Sequence, residues 1–311
     1  MNGKIDTYRN SVLLLVFLIL QLVQLILIPV ASLLRSSVSG WLLLIPLLLT
    51  NSWWAFIHEA LHGHLFSNKR VGRAVGRLNA VLYGAAFDLL RHGHLLHHAY
   101  SRTRRERFEV YRADESSWIA AAGSYYFRLL GGLYFFEILG SLIFLLPRSL
   151  IRRLEARIKS DDNVVEELTH RLLAHDTLRA VRTDALAIVL IYGTSFYWYG
   201  KYWWMLALAL WGRGLLISLM DNAFHYGTPL ERTRYAPNLA APAWWSRLLL
   251  NFNLHGVHHL QPAVPWHALP QLHHAQSAKF QGSLILTMLS QFRGPIPEHK
   301  LKDEASPADS A

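Results

Sequence analysis

The sequence predicts an all-α integral membrane protein with about four transmembrane helices in two hairpins, further interfacial helices and a cytoplasmic, histidine-rich cap. Three observations lead to this prediction. Just over half of the 311 residues are apolar, and they occur in long blocks. Many of the 17 histidines form short clusters, the first of which directly follows an apolar block. Basic residues concentrate between the blocks, as they do in the cytoplasmic loops of membrane proteins.

The first two spans form the predicted N-terminal hairpin. Residues 13–34 are an almost uninterrupted aliphatic stretch, and residues 41–57 are a second apolar run that ends directly at His58. A helix needs about 20 apolar residues to cross the hydrocarbon core of a bilayer. A signal peptide has a shorter apolar stretch followed by small residues at a cleavage site, a pattern that does not follow cleanly here.

The second predicted hairpin consists of residues 185–199 and 202–220, with a break at Gly200 and Lys201. The preceding stretch, residues 148–182, carries eight arginines and lysines and is therefore expected on the cytoplasmic side. The basic loop around Lys69 is expected there too. Every histidine-rich segment then faces the cytoplasm.

Residues 117–147 are apolar enough to cross the membrane, but they contain Arg128, Glu137 and the Gly131-Gly132 pair. A single crossing cannot connect two cytoplasmic segments. We therefore predict an interfacial or re-entrant pair of helices here. Residues 1–294 are expected to form one membrane domain, and the polar residues 295–311 a disordered tail.

Composition excludes several classes of site and partner. The chain contains no cysteine, so it holds no disulfide, thiolate zinc site, cysteine-ligated iron–sulfur cluster or cysteine nucleophile. An iron–sulfur electron carrier must then be a separate protein. The formal charge of +10 is attributed to cytoplasmic loops in contact with the bilayer and not to nucleic-acid binding.

The histidine clusters predict a metal site. Residues three or four apart share one face of a helix, so the members of each cluster can converge on one point. Imidazole suits zinc, copper, iron and nickel, but a zinc ion takes only about four ligands. The number of clustered histidines suits two metal ions, and iron is the metal of this group that handles oxygen chemistry most readily. The three clusters are His58 with His62 and His64, His92 with His94, His97 and His98, and His255 with His258 and His259; His225 lies alone, four residues after Asp221.

The remaining histidines are expected to be ordinary hydrogen-bonding residues near the membrane interface or in the basic segment. This group contains His64, His92, His170, His175, His267, His273 and His274. Four arginines in the run after the second cluster, Arg102, Arg104, Arg105 and Arg107, are expected either to bind an anionic head group, carboxylate or acidic redox partner, or to form a solvated basic loop.

At these residues the chain resembles the membrane fatty acid desaturase superfamily, which also contains carotenoid ketolases and hydroxylases and fatty acid decarboxylases that form terminal alkenes. The three histidine boxes of that superfamily read here HEALH, HLLHH and HGVHH, in the expected order. The segments DNAFHYGTP and NFNLHGVHHLQPAVPWHALP also look like family segments. The resemblance covers roughly residues 40–275.

The resemblance implies a di-iron centre, an apolar tunnel for an acyl chain and a set of nine iron ligands. These are His58, His62, His94, His97, His98, His225, His255, His258 and His259. Asp221, Asn253 and Glu59 are expected to orient the imidazoles or a metal-bound water. In relatives that act on acyl-CoA, an asparagine takes the place of Asp221.

The expected activity is O2-dependent oxidation of an unactivated C–H bond of a fatty acyl or other lipid, most simply desaturation. Hydroxylation or ketolation of a lipid or carotenoid and oxidative decarboxylation of a free fatty acid remain open. No acidic run follows the second box and no fused cytochrome b5 segment is visible, so substrate and electron donor are undetermined. The donor is expected to be a separate ferredoxin-like protein or another reductase system.

Two functions of other classes remain open at this point. HEALH also fits H-E-x-x-H, in which two histidines bind zinc and Glu59 is the general base of a metalloprotease. That interpretation uses only two of the clustered histidines. A metal or haem carrier would need ligands along a path through the bilayer, whereas the histidines here are predicted to cluster at one face.

Overall fold

The apolar runs fold into helices, as predicted. The computed structural model describes residues 4–34 and 37–302. Its first helices are α1 (Thr7–Leu22), α2 (Ile28–Leu34), α3 (Leu44–Leu48), α4 (Thr50–Leu61), α5 (Lys69–Tyr83), α6 (Phe87–Tyr100), α7 (Trp118–Phe127), α8 (Leu133–Ile143) and α9 (Arg148–Ile158). They are followed by α10 (Val165–Leu172), α11 (His175–Tyr199), α12 (Trp203–Ala223), α13 (Ala243–Leu248), α14 (His255–Leu260), α15 (Leu269–Ala275), α16 (Leu284–Ser290) and α17 (His299–Lys302).

Two pairs of very short parallel strands complete the described part of the chain. The strands are β1 (Val110–Tyr111), β2 (Leu239–Ala240), β3 (Gly282–Ser283) and β4 (Ile296–Pro297). β1 pairs with β4, and β2 pairs with β3. Each pair joins segments that are far apart in the sequence, so together they close the loops that cover the histidine-rich end of the helices.

Three helical segments are long and apolar enough to cross a membrane: Thr7–Ala31, Trp118–Ile143 and His175–Ala223. A fourth candidate is the pair Ser39–Leu48 and Thr50–Leu61, which is bent by 48°. The sequence also predicts four spans, but it divides His175–Ala223 into two of them and predicts a re-entrant pair over residues 117–147. The first begins six residues earlier than the predicted residue 13, because Asp6 caps the helix by accepting a hydrogen bond from the Arg9 amide.

The segment His175–Ala223 is a hairpin. The Arg213 guanidinium lies 3.2 Å from the Tyr192 hydroxyl, although the two residues are 21 positions apart. In one straight helix they would be about 31 Å apart. The reversal occurs at Gly200, which has a positive φ of 51°. The predicted spans 185–199 and 202–220 therefore lie side by side.

Arg213 ties this hairpin to the rest of the bundle. The side chain is almost fully buried and donates hydrogen bonds to the Tyr83 carbonyl, the Tyr134 and Tyr192 hydroxyls and the Gln24 amide oxygen. A buried charge is tolerated only when its donors are satisfied. One side chain thus joins the π-helical stretch between α1 and α2 to α5, α8, α11 and α12.

The segment Trp118–Ile143 bends sharply at Gly131, which has a φ of 115°. Before the bend, Tyr125 donates a hydrogen bond to the Gln291 carbonyl, and after it Ser141 accepts one from the Ala86 amide. Gly131 itself packs against Gly214 in the middle of α12. Both ends thus lie beside elements at the histidine-rich end, while the bend lies deeper. These contacts favour the predicted re-entrant pair.

The polar tail does not begin at residue 295 as predicted. The Ile296 amide donates a hydrogen bond to the Glu109 carbonyl, and Glu298 pairs with Arg107 at 3.1 Å. The prediction was wrong for residues 295–302 because local composition does not reveal a strand partner almost 190 residues away. Residues 303–311 lie outside the described part of the chain.

We predict that Gly131→Ala destabilises the protein by about 1–3 kcal/mol, because a side chain at this positive φ is strained. Gly123→Ala is the matched control on the same segment: a Cβ there meets no atom within 4 Å, so the change should be neutral or slightly stabilising. Thermal unfolding in detergent measures both. Equal midpoints for the two variants would contradict the role assigned to the bend.

Candidate metal centre

The first histidine box lies at the end of α4. His58 is in the last turn of this helix and His62 is its C-cap residue. Trp53 and Phe56 bury the same helix in the apolar core below the box. Gly63, with a φ of 75°, then turns the chain away. The helix therefore presents both histidines at the point where the apolar core ends.

The second box lies on α6, after a tight turn at Gly84, whose φ is 106°. Asp88 in the first turn of α6 is buried and forms ion pairs with Arg73 and Arg77 of α5, at 2.6 and 2.7 Å. These ion pairs fix α6 against α5. As a result, the face that carries the second box points toward the first box.

The third box forms the short helix α14. Asn238 accepts a hydrogen bond from the Val257 amide at 3.0 Å, and a Cβ at Gly256 would clash with the Ala236 carbonyl oxygen. The helix therefore packs directly on the backbone of the loop before β2. His225 follows α12 and is buried beside the same helix.

The structure brings all nine predicted histidines together in two groups. Within each group the candidate ligand nitrogens lie within 4.8 Å of one another. The first group contains His58, His62, His94, His98 and His258, and the second contains His97, His225, His255 and His259. The second box contributes to both groups: His94 and His98 belong to the first group, and His97, at a neighbouring position of α6, belongs to the second.

The distances between the nitrogens fit ligands of a shared ion. Nε2 of His94 lies 2.8 Å from Nε2 of His62 and 3.0 Å from Nε2 of His98. A ring nitrogen carries either one hydrogen or one lone pair, so it cannot form two good hydrogen bonds of this kind. Two nitrogens about 2.1 Å from one metal ion and at right angles to each other lie about 3.0 Å apart. The residues present therefore fit a metal ion.

The second group shows the same pattern. Nε2 of His259 lies 3.1 Å from Nε2 of His255 and 3.3 Å from Nε2 of His97. Nε2 of His225 is buried and has no hydrogen-bond partner among the described residues. An unpaired buried nitrogen is costly unless it serves another purpose, such as binding a metal.

Burial keeps most of these imidazoles neutral. Loss of hydration, together with the nearby histidines, lowers the pKa of His62 to about 2 and that of His98 to about 3. The pKa values of His94, His255 and His258 are also lowered, mainly by burial. Neutral imidazole is the form that binds metals. At neutral pH the lone pairs are therefore available.

His97 is the exception. Burial alone would lower its pKa, but the Glu106 carboxylate, 2.7 Å from its Nδ1, raises it. A carboxylate on the far nitrogen fixes the tautomer of a metal-binding histidine and leaves its other nitrogen free for the ion. The sequence analysis missed Glu106, because it considered only the arginines of the run SRTRRER. The sequence feature that could have indicated this contact is an acidic residue nine positions after His97.

The three residues predicted to orient the ligands lie in different positions and have different hydrogen-bond partners. Asp221 accepts a hydrogen bond from the Trp54 indole at 3.2 Å and lines a cavity with His97 and His225. Glu59 accepts one from the Trp266 amide, and its other carboxylate oxygen lies 3.9 Å from His58 Nδ1.

Asn253 does not reach an imidazole. Its side-chain amide donates to the Leu239 carbonyl, and its own carbonyl accepts from the Leu239 amide. It therefore fixes the loop before the third box to β2. A second residue that the sequence analysis missed is Ser101, whose hydroxyl lies 3.3 Å from His225 Nδ1.

The histidines expected to have other roles lie outside both groups. His64 is buried and its Nδ1 lies 3.5 Å from Glu59, whereas His170 and His175 are exposed on the basic segment. The four arginines after the second box are all paired with acids of this chain. The pairs are Arg102 with Glu109, Arg104 with Asp162, Arg105 with Glu167 and Arg107 with Glu298.

A comparison with protein families agrees with this geometry. A family model described as fatty acid desaturase matches residues 37–288, which is most of the chain. The chain belongs to the fatty acid desaturase family. Membership implies a membrane-bound, metal-dependent oxidoreductase that acts on lipids. No curated protein and no solved structure matches the chain.

The zinc-protease interpretation of HEALH is not favoured by this site. In that interpretation Glu59 needs a free carboxylate next to a zinc ion with three protein ligands. Here Glu59 is hydrogen-bonded to the Trp266 backbone, and His58 and His62 belong to a group of five histidines. The three family boxes and His225 all contribute to one site.

We predict that His94→Ala lowers the metal content of the purified protein by about one ion per chain, because His94 lies at the centre of the first group. His92→Ala is the matched control: it belongs to the same helix and motif, but to neither group. Metal analysis by mass spectrometry measures both. Equal metal loss in the two variants would contradict the assignment.

We predict that Glu106→Gln weakens metal binding about 10- to 100-fold, as expected when a carboxylate that orients a metal-bound histidine is lost. The exposed Glu115, which pairs with Arg112 at 2.5 Å, offers the control Glu115→Gln. Competition with a chelator gives both affinities. Unchanged affinity in Glu106→Gln would show that the His97–Glu106 contact does not support the centre.

Proposed function

We propose that this protein is a di-iron oxidoreductase that uses O2 and external electrons to oxidise an unactivated C–H bond of a fatty acyl or other lipid, most simply by desaturation. The observation that carries the proposal is the convergence of nine imidazoles in two groups. Nine nitrogen ligands in two groups exceed what one structural or catalytic zinc ion uses. Family membership supports oxidation of a lipid.

Iron is proposed because the reaction requires it. No side-chain acid or base can remove hydrogen from an inert methylene, whereas bound iron can supply O2 chemistry. In desaturation the lipid loses two hydrogen atoms, that is, two protons and two electrons. A donor supplies two more electrons, and with two protons from water the O2 is reduced to two waters. In hydroxylation one oxygen atom stays on the lipid.

The protein's own residues supply position and environment. Glu106 and Ser101 hold the imidazoles of His97 and His225 in defined orientations. The buried third box and the core beneath it keep bulk water away from the centre. A cavity lined by His97, His225 and Asp221 gives a lipid access to the second group.

We propose that the electron donor is a separate protein, ferredoxin-like or another reductase, since the chain lacks cysteines for an iron–sulfur cluster. The proposed orientation places the centre at the cytoplasmic face. The basic segment supports it: Tyr100 of α6 donates a hydrogen bond to Glu167 of α10, so residues 148–182 lie on the same side as the second box.

The test is an oxidation assay with the iron-loaded protein in detergent. It receives a reductant, ferredoxin with its reductase, O2 and a panel of free fatty acids, phospholipids and carotenoids. We expect one class to give an O2-dependent product, identified by mass spectrometry as an alkene, an alcohol, a ketone or a shortened terminal alkene. The product should be absent without O2 and in His94→Ala.

The outcome that would contradict the proposal is a protein that holds two irons, consumes no O2 with any lipid of the panel and gives no oxidised product. One zinc per chain together with peptide cleavage would instead support the protease interpretation.

A further inference from the structure

One cavity connects the cap surface with the second histidine group. It has a volume of about 540 Å³, in the range of small-molecule sites, and both His97 and His225 line it. Its wall contains six arginines as well as apolar residues such as Phe108 and Leu133. The arginines are Arg102, Arg104, Arg105, Arg107, Arg112 and Arg128. The wall also contains five acids, so an anionic ligand is attracted only by an arginine that lacks a carboxylate partner. The acids are Glu106, Glu109, Glu115, Asp162 and Asp221.

Five of these arginines already have a carboxylate partner in the chain. Four are the pairs described above for the run after the second box, and the fifth is Arg112 with Glu115. A paired guanidinium has little attraction left for a ligand, because its donors and its charge are already satisfied.

Arg128 differs from the other five. Among the described residues it has no carboxylate or other hydrogen-bond partner; its guanidinium carbon lies 5.6 Å from the Phe108 ring and 5.9 Å from the Phe136 ring. Aromatic faces attract a cation only weakly. Glu106, the nearby acid of the cavity wall, is hydrogen-bonded to His97. Arg128 is thus the arginine of this wall whose charge is left for a ligand.

The position of Arg128 makes this charge unusual. It lies just before the Gly131 bend, on a segment apolar enough to enter the membrane. Its side chain is exposed and lines the cavity, so a ligand can reach its charge. A charge on such an apolar segment is a candidate binding site in membrane proteins. The guanidinium fork matches carboxylate and phosphate oxygens in geometry as well as in charge.

We propose that Arg128 binds the anionic head group, carboxylate or phosphate, of the lipid substrate and thereby determines substrate class. The inference rests on the proposed function, because the bound lipid is a substrate only if the protein oxidises it. The binding of the lipid can be measured without turnover. The acidic end of the lipid then lies in the cavity that reaches His97 and His225, near the ring of Phe108. Neutral lipids with the same chain bind more weakly because they leave the charge of Arg128 unpaired.

The test measures the binding of three ligands that share a 16-carbon chain: hexadecanoic acid, hexadecyl phosphate and hexadecanol. Dissociation constants are determined for the purified iron-loaded protein without reductant, and for the variants Arg128→Gln and Arg128→Lys. For wild type we expect at least one anionic ligand to bind tighter than the alcohol. Arg128→Gln should lose about 10- to 100-fold in affinity for that ligand and little for the alcohol. The preferred anion distinguishes a carboxylate from a phosphate head group.

The matched control is Arg112→Gln, which removes a paired arginine from the same cavity wall and should leave all three affinities within about twofold. Arg128→Lys keeps the charge but not the fork and should recover part of the lost affinity. Iron content and elution volume equal to those of wild type show that a variant is folded.

Equal affinity of wild type and Arg128→Gln for both anions, or an equal loss with the alcohol, would overturn the inference. The oxidation assay separates this failure from that of the proposed function. O2-dependent product with an unchanged KM in Arg128→Gln would overturn the role of Arg128 alone. If anion binding depends on Arg128 but no lipid gives a product, the proposed oxidase function is contradicted and the anion-binding site at Arg128 is retained.

Discussion

The structure depends on the gathering of nine imidazoles, five of them buried and four half-buried, around two points. Burial lowers the pKa of most of them, so the rings are neutral and their lone pairs face each other at about 3 Å. Without a cation this arrangement is unfavourable, because the facing nitrogens cannot all form hydrogen bonds. A metal ion at each point converts the same contacts into bonds. Metal binding and the stability of the cap are therefore expected to be coupled.

The helices below the site provide the rigidity that such an arrangement needs. The first and third boxes are separated by some 200 residues of sequence. Buried contacts fix the direction of the helices that carry the second and third boxes. For α6 the contact is the Asp88 pair with Arg73 and Arg77, and for α14 it is Asn238. Below them Arg213 joins five elements in the bundle. The cap carries the chemistry, and the bundle fixes where the cap residues lie.

Much of the site could be predicted from the sequence, because the information is local. His94, His97 and His98 share a helix, and spacing alone shows which can converge. The division into two groups could not be predicted in this way, since it depends on how α4, α6 and α14 cross. Glu106 was missed for a related reason: it contacts His97 only because the chain turns back after α6, where Arg102 has a positive φ.

The fold shows the same limits. Apolar length predicted the spans, and the charge on either side of residues 117–147 predicted a re-entrant pair, which the Tyr125 and Ser141 contacts favour. The tail prediction failed at β4, because strand pairing with β1 satisfies backbone groups that composition does not reveal. The arginine-rich run after the second box was ambiguous in the sequence; the structure pairs each of its four arginines with a carboxylate and leaves Arg128 without one.

The most direct test of the central claim is X-ray absorption at the iron edge of the iron-loaded protein, combined with the iron content per chain. The account predicts two irons per chain and a first shell dominated by imidazole nitrogen, with about four to five nitrogens per iron on average. One iron per chain, or a first shell dominated by oxygen with few imidazoles, would contradict the assignment of the nine histidines to two metal ions.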